Sequence, residues 1–166
     1  CGGDVYLPLT DLGHRQAVQA ARHLTGLRPL VGVIVVSALH RTRQTADIVG
    51  RALHGVETVV DDAFNERRLG EWNRRPIAET QAALAAGVTP PGGESNDEFT
   101  QRIRGAVLTT LAPLLGERAL LIASKGVARV LGELAGDGAS QPLDNAGIVQ
   151  FDLSRLLRQR AMECAA

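Results

Sequence analysis

The run VGVIVV at 31–36 constrains the fold of this chain more than any other segment. It is short, continuously apolar and rich in β-branched residues, which is typical of a strand covered on both faces. Apolar residues recur at helical spacing on either side of it, from Thr10 to about Leu24 and from about Arg41 to Leu53. A buried strand between two amphipathic helices predicts that 31–36 lies in the middle of a sheet.

The rest of the chain continues this alternation of strands and helices. Further strands are predicted at 57–60, 119–123 and 148–153. Further helices are predicted at about 76–86, 95–115 and 126–134, with 61–75 as a long charged loop. Ser95 and Glu98 form a capping-box pattern where the second of these helices begins. The sequence therefore predicts one α/β domain, a doubly wound and mostly parallel sheet with helices on both faces.

The composition of the chain argues against several classes of binding partner. The 166 residues suffice for one domain with its own core, and the formal net charge of zero gives no electrostatic basis for binding nucleic acid or an acidic membrane. Cys1 and Cys164 stand at the two ends, so they form neither a disulfide framework nor a metal-ligand spacing. No apolar run approaches the roughly 18 residues of a membrane span, and no secretory signal pattern opens the chain. We expect a cytoplasmic protein with a small-molecule partner.

Ligands of doubly wound sheets bind beyond the carboxyl ends of the strands, so chemistry is expected just after residues 36, 60 and 123. The first of these loops carries Ser37, Arg41 and Arg43 at the start of a helix. Free backbone amides there favour an anion, and a guanidinium can bind two phosphate oxygens at once. Arginines on a first helical turn are also ordinary surface residues, and their spacing does not decide between the two interpretations.

The other two loops offer a carboxylic acid and an ammonium group. Glu66 follows the second strand, where a carboxylic acid could protonate a leaving oxygen, although it could equally pair with Arg67 or Arg68. Ser124-Lys125-Gly126 follows the third strand, where the ammonium could contact phosphate and the glycine could let backbone approach it. A solvated lysine explains that triplet as well. Together, the three loops predict a phosphate-handling site at one edge of the sheet.

Six sequence blocks occur in an order that resembles a known family. They are LPLTDLGHRQA (7–17), VVSALHRTRQTA (35–46), NERRLGEWNRRPIAE (65–79), PPGGESNDEFTQR (90–102), LLIASKGVARVL (120–131) and LDNAGI (143–148). This pattern is similar to that of the histidine phosphatase superfamily, the phosphoglycerate-mutase-like proteins. The resemblance implies phosphoryl transfer through a phosphohistidine, with no metal and no other cofactor. By position, Arg41 matches a phosphate-binding arginine of the family and Glu66 matches its acid.

The family's two histidines have no counterpart. The R-H-G triplet should precede PLT at 8–10, where this chain has no histidine, and a block that often reads S-H-K-G-V-x-R in the family reads SKGVAR here. The four histidines of the chain are His14, His23, His40 and His54. ARHLTG at 21–26 mimics part of the triplet, but its helical spacing indicates a surface or packing histidine.

Two explanations remain for the absent histidines. Either residues of the natural chain are missing from this sequence, including a first strand, or the protein has lost both histidines and is no phosphatase. We expect the first explanation, because a sheet without its central strand would expose unpaired backbone and apolar faces. The presence of Arg41 and Glu66 also favours this explanation, because a working site would require both.

The predicted function is hydrolysis of a small phosphorylated metabolite through phosphohistidine. The alternative is an inactive homologue that binds an anion without hydrolysing it, and a catalyst repurposed for non-phosphate chemistry with Glu66 has no positive support. The arginines of 61–75 are compatible with a second anionic group on the substrate; they are Arg67, Arg68, Arg74 and Arg75. The sequence leaves a homodimer open and does not identify the substrate.

Overall fold

A computed structural model describes residues 3–27, 30–114, 116, 118–136, 143–154 and 156. The helices are α1 (Asp11–Thr25), α2 (His40–Ala52), α3 (Ile77–Ala85), α4 (Asn96–Ala106) and α5 (Lys125–Ala135). The strands are β1 (Val33–Val36), β2 (Glu57–Val60) and β3 (Ala119–Ile122). Within those ranges, no helix combines the length and the apolar character needed to cross a bilayer. The α/β class predicted from the sequence is confirmed.

The three strands form a parallel sheet in the order β2-β1-β3. Val36, the last residue of β1, lies opposite Val60 of β2 and Ile122 of β3, so all three strands end at the same edge. The side chains of β1 are at most 3% exposed, because helices cover both faces and strands pair with both edges. The prediction that VGVIVV lies in the middle of the sheet is therefore confirmed.

Helices cover both faces of the sheet, as predicted. Alternate residues of β1 point to opposite faces, so Ile34 and Val36 pack against α1 and α2, whereas Val35 packs against α4 and α5. The α4 and α5 side is the larger layer of core residues, and Phe99, Ile103, Val127 and Val130 in it are at most 1% exposed.

The helix starts follow the capping signals of the sequence. The Thr10 hydroxyl accepts a hydrogen bond from the Gly13 amide at 3.1 Å, and Ser95 and Glu98 form a complete capping box. The sequence predicts that the helix beginning at Ser95 continues to about residue 115. Instead, regular α-helix ends at Ala106 and continues as a π-helical turn over Val107–Leu111 and a 3₁₀ turn over Ala112–Leu114.

One sequence-based expectation is wrong. The segment 148–153 is not a strand, and Ile148 and Val149 are 42% and 47% exposed, because the segment pairs with no sheet edge. The three described strands have no gap between them, since β1 pairs directly with both of its neighbours. Among the described residues, the outer edges of β2 and β3 are the unpaired ones, so any further strand would add at an edge of these three.

Candidate active site

The loops that follow the three strands meet at one edge of the sheet. The Ser37 amide donates to the Ile122 carbonyl at 3.1 Å, and the Asp61 amide donates to the Val36 carbonyl at 2.9 Å. The chain after each strand is thus tied to the end of a neighbouring strand. This is the edge at which the sequence predicted the chemistry.

Glu66 reaches from its loop to the first turn of α5. Its Oε2 accepts a hydrogen bond from the Gly126 amide at 3.2 Å, and its Oε1 accepts one from the Arg67 amide at 2.8 Å. Ser124, the residue at the N-cap position of α5, makes no side-chain capping bond. The carboxylate of Glu66 therefore caps this helix from 60 residues away, where the helix dipole favours negative charge.

Gly126 is needed for that contact. A β-carbon at this position would overlap Oε1 of Glu66 and would lie 2.8 Å from its Cδ and 2.9 Å from its Oε2. The sequence predicts that the backbone at this glycine approaches an anion. In the structure the anion is a carboxylate of the protein itself.

Arg41, at the start of α2, lies within electrostatic reach of Glu66. Its Nη2 donates to the Gly3 carbonyl at 2.9 Å and its Nη1 to the Val5 carbonyl at 3.4 Å. Burial lowers the pKa of Arg41, while the nearby charges of Glu66 and Asp4 oppose that shift by favouring the guanidinium. Two of the predicted residues from different loops, Arg41 and Glu66, therefore share one electrostatic site.

Ser37 and Lys125 take different positions from the other predicted residues. Ser37 is 0% exposed, and its hydroxyl lies 2.8 Å from that of Thr42. Thr42 also hydrogen-bonds to the carbonyls of Ser37 and Leu39, so the Ser37 hydroxyl supports the start of α2 from beneath. The Lys125 side chain is exposed and makes no hydrogen bond or ion pair with the described part of the chain. Arg43 is exposed as well.

A buried ion pair that sequence reasoning missed lies behind Glu66. Glu94 is 1% exposed, and both of its oxygens accept hydrogen bonds from Arg102, at 2.9 Å from Nε and 2.7 Å from Nη2. The pKa of Glu94 is lowered: burial pushes it up, but the hydrogen bonds and charges of Arg102 and Arg68 outweigh burial. One signal was available, because Arg102 falls on the apolar face of α4, between Phe99 and Ile103.

The arginines after Glu66 do not form ion pairs with it. Arg67 is 7% exposed and donates to the Glu94 carbonyl at 2.7 Å, to Asn96 Oδ1 at 2.6 Å and to the Val88 carbonyl at 3.4 Å. Burial lowers the pKa of Arg67, with the charge of Glu94 opposing. Arg68 is 62% exposed and lies 3.6 Å from Glu94. Of these two arginines, only Arg68 can meet a ligand.

A cavity of about 230 Å³ opens beside the loop that carries Glu66. Its lining residues are Asp4, Asp62, Ala63, Asn65, Arg68 and Arg102. Asn65 Oδ1 is buried without a hydrogen-bond partner. Asp4 lines the cavity, and its charge also favours the guanidinium form of Arg41. The cavity therefore lies next to the site that contains Arg41.

Three of the four histidines lie on the surface, and the fourth, His40, directly precedes Arg41. His14, His23 and His54 are exposed, and His40 stacks on Tyr6 with ring centroids 4.4 Å apart. None of them hydrogen-bonds to Arg41 or Glu66. The interpretation of His23 as a surface residue agrees with its exposure.

Comparison with known proteins finds relatives among phosphatases and phosphoglycerate mutases. The sequence pattern of the histidine phosphatase superfamily (branch 1) matches residues 1–160. Fructose-2,6-bisphosphatase TIGAR B of Danio rerio is 33% identical over 150 residues, which cover 83% of this chain and 58% of the relative. The probable phosphoglycerate mutase GpmB of Cronobacter sakazakii is 33% identical over 131 residues, which cover 73% of this chain and 59% of the relative. The chain thus spans less than two thirds of either relative.

Solved structures agree with these matches. The native structure of a mycobacterial glucosyl-3-phosphoglycerate phosphatase superposes with a TM-score of 0.69 at 30% identity, covering 81% of this chain and 71% of that one. Its complex with inorganic phosphate superposes with a TM-score of 0.69 at 29% identity, covering 91% and 78%. The fold of this chain therefore has counterparts in these structures.

Proposed function

This chain belongs to the histidine phosphatase superfamily, and from that premise we propose that it is part of a phosphatase acting on a small phosphorylated metabolite. Arg41 binds oxygens of the phosphoryl group, and the amides at the start of α5 contribute to the same anion site. Glu66 is the acid. No cofactor is required, and we propose a cytoplasmic location.

The proposed reaction has two steps. A histidine nitrogen attacks phosphorus, the P–O bond to the leaving group breaks, and the carboxylic acid of Glu66 gives its proton to the departing oxygen. The Glu66 carboxylate then takes a proton from water, whose oxygen attacks phosphorus as the P–N bond breaks. Phosphate leaves, and histidine and acid return to their starting states.

One observation carries this proposal: the hydrogen bond of 3.2 Å between Glu66 Oε2 and the amide of Gly126. It brings the acid of one loop to the helix start of another, within the electrostatic reach of Arg41 from a third. A proton donor beside an anion-binding helix start and a guanidinium is the arrangement that phosphate ester hydrolysis requires.

The attacking histidine is the part that these residues do not supply. His14, His23 and His54 are exposed, and His40, which directly precedes Arg41, stacks on Tyr6 and hydrogen-bonds to neither Arg41 nor Glu66. We propose that the nucleophile comes from a segment of the natural protein that precedes residue 1. The outer edge of β3, which pairs with no described strand, offers such a segment a place in the sheet.

The experiment uses the full-length protein and p-nitrophenyl phosphate. Release of p-nitrophenol, together with an acid-labile mass increase of one phosphoryl group after rapid quenching, is the expected result. Glu66→Gln should lower the rate of hydrolysis of an alkyl phosphate about 10²- to 10⁴-fold, because the amide cannot donate a proton to its leaving oxygen. The matched control is Glu79→Gln on the exposed side of α3, which should hydrolyse like the wild type. Absence of both product and phosphoprotein would refute the proposal.

The same preparation tests the alternative of an anion-binding protein without catalysis. An intact mass equal to that of the 166 residues, heat release on titration with inorganic phosphate, and no hydrolysis would establish that alternative. A mass beyond these residues, combined with hydrolysis, would exclude it.

A further inference from the structure

We propose that Arg102, held by Glu94, is a positioning residue for Glu66. The inference rests on the proposed role of Glu66 as the acid and extends it to a pair of residues that do not touch the phosphoryl group. Arg102 lies on α4, whereas Gly126, the hydrogen-bond partner of Glu66, lies at the start of α5.

Arg102 holds the loop through three of its backbone carbonyls. Its Nη1 donates to the carbonyls of Ala63 at 2.7 Å and Asn65 at 3.0 Å, and its Nη2 donates to the carbonyl of Glu66 itself at 3.4 Å. These bonds leave little freedom for the loop where the acid begins. A backbone fixed in this way fixes the point from which the Glu66 side chain extends.

Glu94 fixes Arg102 and also the other side of the loop. It binds the guanidinium with both oxygens, and its Oε2 accepts a hydrogen bond from the Arg68 amide at 3.2 Å. The Glu94 amide donates in turn to the Arg68 carbonyl at 2.9 Å. One buried ion pair therefore holds the backbone both before and after Glu66.

Packing prevents the guanidinium from shifting. Its Cζ lies 5.1 Å from the centroid of the Phe99 ring, which is 1% exposed. The planar fork of arginine is required, because one group must bind a carboxylate on one side and carbonyls on the other. Lysine at this position has a single nitrogen, which cannot reach all of those acceptors.

This geometry predicts a specific kinetic signature. A displaced acid matters most when the leaving oxygen needs a proton, as for an alkyl phosphate, and least for p-nitrophenyl phosphate, whose leaving group departs as a stable anion. A variant that only weakens the fold would reduce the hydrolysis of both substrates by the same factor.

The kinetic test compares Arg102→Lys with the wild type on an alkyl phosphate and on p-nitrophenyl phosphate. The matched control is Arg104→Lys on the same helix. We expect kcat/KM for the alkyl phosphate, which reports phosphoryl transfer to the histidine, to fall about 10- to 100-fold and kcat/KM for p-nitrophenyl phosphate to change at most a few-fold, since only the first transfer needs a proton on its leaving oxygen. Equal losses on both substrates, or none, would overturn the inference.

A second measurement does not depend on activity. The amide resonance of Gly126 reports the hydrogen bond that this amide donates to Glu66, and Glu66→Gln gives the position of that resonance when the carboxylate is removed. We expect Arg102→Lys, and the milder Glu94→Gln, to move the Gly126 resonance toward that position while Arg104→Lys leaves it unchanged. A Gly126 resonance that stays at its wild-type position in both variants would overturn the inference.

The two measurements separate the inference from the proposed function. If the wild type hydrolyses neither substrate, the proposed function fails, and the Gly126 resonance alone decides whether Arg102 positions Glu66. If the wild type hydrolyses both substrates and Arg102→Lys slows them equally, the function stands and the positioning role fails.

Discussion

Replacing Gly126 with alanine should separate catalysis from stability in this protein. The added β-carbon would overlap Oε1 of Glu66, so the carboxylate must move and the hydrogen bond to the Gly126 amide must break. A hydrogen bond to a charged group contributes about 1.5–3 kcal/mol, whereas alanine in place of glycine within a helix gains up to about 1 kcal/mol. The two effects leave a net loss of about 0.5–2 kcal/mol in the free energy of unfolding.

The effect on catalysis should be much larger. Displacing an acid by about 1 Å can lower a rate on the order of 10²-fold, because proton transfer requires a short and well-aligned contact. We therefore expect Gly126→Ala to fold, to lose about 2–4 °C in Tm for each kcal/mol, and to hydrolyse an alkyl phosphate on the order of 10²-fold more slowly.

Gly105→Ala is the matched control. Gly105 lies within α4, and a β-carbon there would meet no atom within 4 Å. This variant should therefore gain up to about 1 kcal/mol of stability from helix propensity and keep its activity. The assays are thermal unfolding and phosphate release. If Gly126→Ala gains stability as Gly105→Ala does and keeps full activity, the packing of Glu66 against Gly126 cannot be what positions the acid.

Three further predictions address other parts of the site. Ser37→Ala should lower the free energy of unfolding by about 1 kcal/mol and leave KM unchanged, because its hydroxyl bonds to Thr42; a large rise in KM would instead mean that Ser37 contacts phosphate. The lowered pKa of Glu94 stabilises the fold above its ordinary value of 4.5 and loses this contribution as the pH falls through the folded-state pKa. Urea unfolding of the wild type and Glu94→Gln should accordingly differ most near neutral pH and converge in acid, and a constant difference would contradict that origin. Arg68→Ala should raise KM for a phosphorylated hydroxy acid more than for p-nitrophenyl phosphate, because Arg68 is an exposed guanidinium beside the cavity; Arg51→Ala, at the end of α2, serves as the control.

The elements of the fold were predictable because their signals are local. The β-branched run of β1, the Thr10 cap and the Ser95 capping box each act within a few residues, and the structure contains all of them. The failure at 148–153 has the opposite cause, since a strand forms only where a sheet edge pairs with it. Its apolar composition could not show whether such an edge exists.

The candidate site was predictable in part. Parallel strands end at one edge, so the sequence could place Arg41, Glu66 and Gly126 in neighbouring loops. It could not show that Ser37 is buried against Thr42 or that Lys125 is exposed, because side-chain orientation in a loop depends on packing.

By itself, the sequence determined the class of fold, the starts of the helices and the sheet edge at which the acid lies, since periodicity and capping are properties of neighbouring residues. Only the tertiary structure decided that Glu66 caps α5 from 60 residues away and that Arg102 and Glu94 hold its loop. Those contacts join segments that are distant along the chain, and their energies depend on burial, which exists only after the chain has folded.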